Sequence, residues 1–265
     1  MDLGVKGKVA IVAASSKGLG RATALTLARE GAKVTINGRN GATVHATAEA
    51  IRAETGAEVL EVVGDMANAA DIQRLVDETV AKWGRLDMVV CNAGGPPAGT
   101  FTTHMDDDQA WLDAINLNLM STLRLSRAAI PHLEKVGGGS ITTIMSTSVK
   151  QPIPHLVLSN TARTGVIGMT KSMALELAPK NIRVNNVCPG STRTDRILGL
   201  AASRSAESGR DIEEILAEDA KAIPMGRHGE PQEFGNVVAF IASPAASYVT
   251  GVTITVDGGS TRSTM

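Results

Sequence analysis

Short aliphatic or β-branched runs alternate with helix-length segments along the whole chain, and this alternation constrains the fold more than any other feature. Lys8–Ala13, Lys33–Ile36, Glu58–Val63, Leu86–Cys91, Ser140–Met145, Ile182–Val187 and Val252–Val256 read as strands. The unbroken apolar runs Val9–Ala14 and Met88–Cys91 predict strands covered on both faces, as in a parallel sheet. Parallel neighbours need crossover connections, and the helix-length segments supply them. From Gly165 onward, Val166, Met169, Met173 and Leu177 recur at helical spacing, which turns one stripe toward the sheet before Pro179 closes the helix. Glu30-Gly31-Ala32 and Lys135-Val136-Gly137 give two further helices glycine-containing exits. The pattern predicts an α/β fold, a doubly wound parallel seven-stranded sheet with helices on both faces. No linker or shift of composition divides residues 1–265, which read as one domain.

Composition excludes several functions. With 43% hydrophobic residues the chain can bury a substantial core, and 26 Lys+Arg against 27 Asp+Glu leave a formal charge of −1. The basic excess or stripe of a nucleic-acid binder is missing. No apolar run approaches the roughly 18 residues of a membrane span, and Met1–Lys6 lacks the charged and apolar blocks of a signal peptide. The expectation is a soluble, cytoplasmic protein with neither nucleic acid nor membrane as partner. Cys91 and Cys188 each end a strand-like run far from the other, so buried free thiols are expected rather than a disulfide. His45, His104, His132, His155 and His228 show no HxH or HExxH spacing, and no metal site is expected. Tyr248 is the single tyrosine.

The first strand runs into Ala13-Ala14-Ser15-Ser16-Lys17-Gly18-Leu19-Gly20, with a helix starting near Arg21. A loop of small residues between strand and helix lets backbone N–H groups approach a pyrophosphate at the helix N-terminus. It departs from GxGxxG, because the first glycine is missing and Thr23 holds the third place. Taken alone, the loop suits either a dinucleotide site or a tight turn.

Further motifs follow in order. Cys91-Asn92-Ala93-Gly94 matches NNAG, Asn118-Leu119-Met120-Ser121 matches NLxG, Pro189-Gly190 matches a PG motif, and TGxxxxVDGG is intact from Thr250 to Gly259. With the glycine loop, whose TGxxxGxG pattern falls on Ala13, Ala14, Gly18 and Gly20, the chain resembles the short-chain dehydrogenase/reductase family from about Lys6 to its C-terminus. The resemblance implies a Rossmann fold and a nicotinamide cofactor. It places Ser15, Ser16, Lys17, Gly18, Leu19, Gly20, Asp65, Met66, Asn92, Ala93, Gly94 and Thr194 at the cofactor, with Asp65 near adenine and Thr194 on the nicotinamide side.

In NAD-preferring members of that family an acidic residue ends the second strand and accepts from the ribose 2′-OH. Here Asn37-Gly38-Arg39 stands there, with Gly38 in the acid's place. A neutral site beside Arg39, with Lys17 nearby, would attract a 2′-phosphate. The expected cofactor is therefore NADP(H) in preference to NAD(H), unless Arg39 and Lys17 are only solvated surface charges. At Ala14, a Cβ is harmless if φ is negative and crowds the loop if φ is positive.

Reduction of a carbonyl needs a proton for the developing alkoxide. The family uses a tyrosine, a lysine four residues on, a serine that holds the carbonyl oxygen and a helix asparagine that orders water. The resemblance sets Ser146 as that serine and Asn118 as that asparagine. It sets Ser159 and Arg163 where tyrosine and lysine would stand, and Tyr248 is too far along the chain to replace the tyrosine. Serine is shorter and far less acidic than a phenol, while arginine stays charged and can stabilise an oxyanion but does not readily relay a proton. His155, one helical turn before Ser159, is a further titrating group. Two readings result. One is an NADP(H)-dependent oxidoreductase acting on a small carbonyl or alcohol, similar to the 3-oxoacyl-carrier-protein reductases, with Asn118, Ser146, Ser159 and Arg163 as its catalytic set. The other is a dinucleotide- or ligand-binding protein with little turnover.

Residues 193–222 form a polar, helix-prone insert, read as a substrate lid or as a surface excursion. Lys150, Arg193 and Arg196 are the cations available to an anionic tail such as phosphopantetheine, and Gly95-Pro96-Pro97 and Pro152-Ile153-Pro154 would stiffen the substrate wall. The resemblance implies a homotetramer.

Overall fold

The computed structural model describes residues Met1–Thr264. Seven strands form one sheet: β1 (Val9–Val12), β2 (Lys33–Gly38), β3 (Val59–Val63), β4 (Met88–Cys91), β5 (Gly139–Ile144), β6 (Ile182–Pro189) and β7 (Thr253–Val256). Their order is β3-β2-β1-β4-β5-β6-β7, and every neighbouring pair is parallel. The predicted fold class is thus the observed one, with each strand lying within a few residues of its expected position.

Side-chain alternation along each strand divides the core into two layers. On one face Ala10, Val12, Val34, Ile36, Met88 and Val90 pack under α1 (Gly18–Arg29), α2 (Gly41–Thr55) and, through Phe234 and Val238, the late helix Pro231–Ala242. On the other, Val9, Ile11, Val89, Cys91, Ile141 and Val184 pack under α3 (Ala69–Trp83) and the two long central helices, Ser121–Lys135 and Val157–Leu177. Between α3 and those helices lie α4 (Phe101–His104) and α5 (Asp108–Ile115), so the central pair are α6 and α7; then follow α8 (Asp195–Ser208), α9 (Ile212–Ala220) and α10 (Pro231–Ala242).

Close approach of α1 and α10 depends on Gly235, where a Cβ would lie 2.7 Å from the backbone carbon of Ala22. Helix α7 corrects the predicted stripe. Val166 and Leu177 are buried as expected, but Met169 and Met173 are only half-buried, and Thr170 and Ala174 fill the innermost positions. Thr170 is buried because it donates to Asn186 Oδ1 in β6, at 3.1 Å. Both cysteines are buried and free, and burial pushes their thiols up to about 12 for Cys91 and about 11 for Cys188. No described helix is long and apolar enough to cross a membrane.

Candidate active site

The strand order reverses direction at β1, so the chain leaves the C-terminal ends of β1 and β4 on opposite faces and opens a crevice between them. The loop from Ala13 to Gly20 forms one wall. Gly20 is packed so closely that a Cβ would meet Ala14 O at 2.6 Å and Asn92 Nδ2 at 2.9 Å, and Gly18 adopts φ +55°. Helix α1 begins without a side-chain cap and without an acidic residue in its first turn, which leaves its N-terminal backbone donors and positive dipole end turned to the crevice. Ala14 has φ +45°, the conformation in which its Cβ is strained.

Asn37 holds this loop in place, a role the sequence reading missed. It is buried in β2, its Oδ1 accepts from Ala14 N–H at 3.2 Å, and its Nδ2 donates to Val62 O and Gly64 O. A polar residue inside an apolar strand run was the signal available. Ser15 needs correction: it is fully buried, its hydroxyl donates to Val12 O at 2.5 Å and accepts from Asn37 N–H, and its own N–H donates to Asn37 O. With its hydroxyl and N–H committed inside the protein, Ser15 braces the loop and does not turn its side chain toward the crevice. The Met66 side chain is also turned inward, buried with Ile72 and Leu75. Ser16 and Leu19 are half-buried on the loop. Asp65 is half-buried and accepts from Ala67 N–H.

Gly38 is buried against Ser16, and a Cβ there would lie 2.5 Å from Ser16 Oγ. The residue after it, Arg39, is exposed and has no ion-pair partner among the described residues. Lys17 is exposed too, with Asp195 3.9 Å away. Thr194 precedes α8 and faces Gly18. Asn92 ties β4 to the loop by donating to Ala14 O at 3.1 Å, while Ala93 packs on the core beneath.

Beyond Ala93, Gly94 O accepts from two side chains, Asn118 Nδ2 at 3.1 Å and Arg163 Nη2 at 3.2 Å. Asn118 sits in a π-helical turn, Asn116–Met120, between α5 and α6. That local widening is a common mark of functional positions. Its Oδ1 is buried with no hydrogen-bond partner. Arg163 is 8% exposed and has no ion-pair partner among the described residues. Its Nε donates to Ser159 Oγ at 3.2 Å, and its Nη1 reaches Ile144 O and Met145 O at 3.4 Å each. Burial, with Arg196 as a second cation nearby, lowers the Arg163 guanidinium to about 10. Ser146 ends this wall after β5, its Oγ accepting from Ser148 N–H. The fold therefore brings Asn118, Gly94, Ser159 and Arg163 together, with Ser146 at the end of the neighbouring strand. His155 does not join them: it is an exposed turn residue at φ +60°, whose carbonyl accepts from Gly99 N–H.

Helices α8 and α9 form a hairpin beside the crevice. Ile197, Ala201, Ile212, Ile215 and Leu216 give it a small apolar core of its own. Arg193–Glu213, Arg204–Asp219 and Arg210–Glu218 pair across it. Arg193 is thereby removed from the cations expected to meet an anionic tail, because Glu213 holds it at 2.8 Å. Elsewhere, His45, Glu49 and Glu61 bring three donor atoms within 4.8 Å of one another, but Arg52 already binds both carboxylates, at 2.6 and 2.7 Å.

This fold and crevice define a nucleotide-cofactor oxidoreductase architecture, and comparison with known proteins agrees. A family model described as enoyl-(acyl carrier protein) reductase matches residues 13–261. Dehydrogenase/reductase SDR family member 4 from Sus scrofa is 34% identical over 96% of this chain and 88% of its own, and the Homo sapiens protein of that name is 35% identical over 95% and 87%. L-sorbose reductase from Gluconobacter frateurii, complexed with NADPH and L-sorbose, superposes with a TM-score of 0.96 at 31% identity, covering 99% of this chain and 100% of its own. An NADPH-bound short chain oxidoreductase from Pseudomonas aeruginosa, described as containing an atypical catalytic center, gives 0.88 at 32% identity over 97% of each chain. The chain belongs to the short-chain dehydrogenase/reductase family.

Proposed function

We propose that the chain is an NADP(H)-dependent oxidoreductase that interconverts a carbonyl and an alcohol on a small molecule, with altered proton handling. The observation that carries this reading is the convergence of Asn118, Arg163 and Ser159 around Gly94, next to an uncapped helix N-terminus. The residues fit the cofactor: the close packing at Gly20 leaves the loop's backbone donors open to a pyrophosphate, and Arg39 and Lys17 supply charge for a 2′-phosphate. The NADPH in both structural relatives points the same way.

When bound, NADP(H) supplies or accepts the hydride. In this proposal Ser16, Lys17, Gly18, Leu19 and Gly20 hold the diphosphate side. Asp65 lies by the adenine, and Asn92, Gly94 and Thr194 flank the nicotinamide side. Ser146 donates to the substrate oxygen. Arg163, fixed by Gly94 O and Ser159 Oγ, places a full positive charge near that oxygen and stabilises the developing alkoxide. The proton comes from the Ser159 hydroxyl or from water held at the free Oδ1 of Asn118. The α8–α9 hairpin acts as a lid over the substrate. The resemblance to 3-oxoacyl-carrier-protein reductases and a homotetrameric assembly belong to the same proposal.

One observation favours a second reading, a cofactor-binding protein with little turnover: the hydroxyl of Ser159 is engaged by a cation that holds its own proton throughout the neutral range. Calorimetric titration with NADPH and NADH, followed by turnover of the native chain, Ser159→Ala and Arg163→Ala on a carbonyl panel, separates the two. Tight NADPH binding with turnover that drops in both variants supports the reductase. Tight binding without turnover, gained only in Ser159→Tyr with Arg163→Lys, supports the second reading.

A further inference from the structure

Two cations meet over the glycines that follow β4. Arg163 is anchored to Gly94 O from below. Arg196, in the first turn of α8, reaches across so that its Nη1 is the atom any side chain at Gly95 would collide with. The guanidinium of Arg196 thus lies directly against the backbone of Gly95. Arg196 is exposed and makes no hydrogen bond or ion pair with any described residue. Of the other cations near it, Arg193 is held by Glu213 at 2.8 Å, while Lys17 has Asp195 3.9 Å away. Arg163, meanwhile, is bonded only to neutral oxygens. Two guanidiniums side by side with no acid between them make the crevice locally electropositive, strongly so because one of them is withdrawn from water. Arg196 keeps all its donors free in a planar fork suited to a carboxylate.

We propose that the substrate of this site is an oxo acid or hydroxy acid, whose carboxylate is bound by Arg196 while its carbonyl or hydroxyl faces Ser146, Ser159 and Arg163. The inference rests on the oxidoreductase reading for the reaction, but the carboxylate recognition stands on Arg196 and Arg163 alone. Arg196 is a specificity-determining residue. It sits on the hairpin and touches the β4 loop, so substrate binding would also pin the hairpin to the sheet.

The test is calorimetric titration with acetoacetate against acetoacetamide, and levulinate against levulinamide, on the protein alone and saturated with NADPH. The acids are expected to bind roughly tenfold or more tightly than their amides, as one charge-assisted bidentate pair allows. Arg196→Ala should bring that ratio close to one, and Arg196→Lys should keep part of it. Equal binding of acid and amide overturns the inference. So does an Arg196→Ala change that weakens NADPH while leaving the ratio intact, since the cation would then serve the cofactor's diphosphate. A protein that discriminates acid from amide but neither binds NADPH nor turns over keeps this inference and removes the oxidoreductase reading.

Discussion

Arg163 donates its Nε proton to Ser159 Oγ across 3.2 Å, one helical turn apart on α7, and neither group changes charge between pH 6 and 9. A site that relies on this pair has no acid poised near neutrality. The expected rate–pH profile is therefore flat over that range for any carbonyl that turns over. Burial lowers the guanidinium to about 10, below its ordinary value. Because the folded value lies beneath the unfolded one, the charge costs stability below about pH 10, and the cost fades as pH rises through that point. A rate inflection near pH 7 would instead implicate a histidine.

Arg163→Met keeps length and apolar bulk while deleting a buried charge that has no carboxylate partner. Its melting temperature should stay within a few degrees of the native protein, while turnover falls by roughly 100-fold or more through loss of oxyanion stabilisation. Thermal melts and steady-state rates on the same preparation check this. A stable variant with native turnover would remove Arg163 from the chemistry.

Ala14 occupies φ +45° at the tip of the loop after β1. Ala14→Gly should relieve about 1 kcal/mol of backbone strain, raising the melting temperature by roughly 2 °C. The change leaves Asn37 and Asn92 bonded to the same backbone atoms, so NADPH affinity should hold or improve. Differential scanning calorimetry with and without NADPH measures both effects. A lower melting temperature would mean that the flexibility glycine adds to the unfolded chain outweighs the strain relieved.

Gly38 is no place to test cofactor choice, since any side chain would displace Ser16. Arg39 is exposed and unpaired, and it offers a cleaner route. Arg39→Glu should weaken NADPH by roughly 10- to 100-fold and change NADH little, because only the former carries a 2′-phosphate. The NADPH loss should shrink in high salt. Equal loss for both cofactors would point to a loop that has moved.

At the opposite end of the sheet, Asp87 is buried with a charge at stake. Burial opposes its ionisation. Arg85, which bonds both carboxylate oxygens, and the N–H of Val9 outweigh that and hold it below the usual carboxylate range. Stability from this carboxylate is present above the unfolded value near 3.8 and disappears as pH falls through the lower folded value. Asp87→Asn should cost roughly 2 kcal/mol at pH 7 and less at pH 3, below the unfolded value. Urea melts at the two pH values test the sign.

The sheet was legible because β1 and β4 are unbroken apolar runs and the remaining β-branched stretches alternate regularly with helix-length segments, the pattern of a doubly covered parallel sheet. The α7 stripe was less legible. Thr170 and Ala174 replace large apolar residues at its innermost positions, since a hydrogen bond to Asn186 and close helix approach serve there instead of bulk. The positions of Asn118, Ser146, Ser159 and Arg163 followed from motif spacing, but their bonding did not. Gly94 O, the acceptor that gathers two of them, carries no side chain for a sequence to display. The inward hydroxyl of Ser15 was not legible, because loop composition says which residues can approach a ligand, not which way a hydroxyl turns. Arg193 and Arg196 look alike in sequence, and only the fold hands Glu213 to one and leaves the other free.

The α8–α9 hairpin closes its own apolar core and cross-links itself with ion pairs. Such a unit can change its surface without loosening the sheet. Selection on what the crevice admits can therefore act on the hairpin's surface with little effect on the core beneath the sheet. Arg196, at the hairpin's edge, is the point where substrate preference could drift while the reaction stays the same.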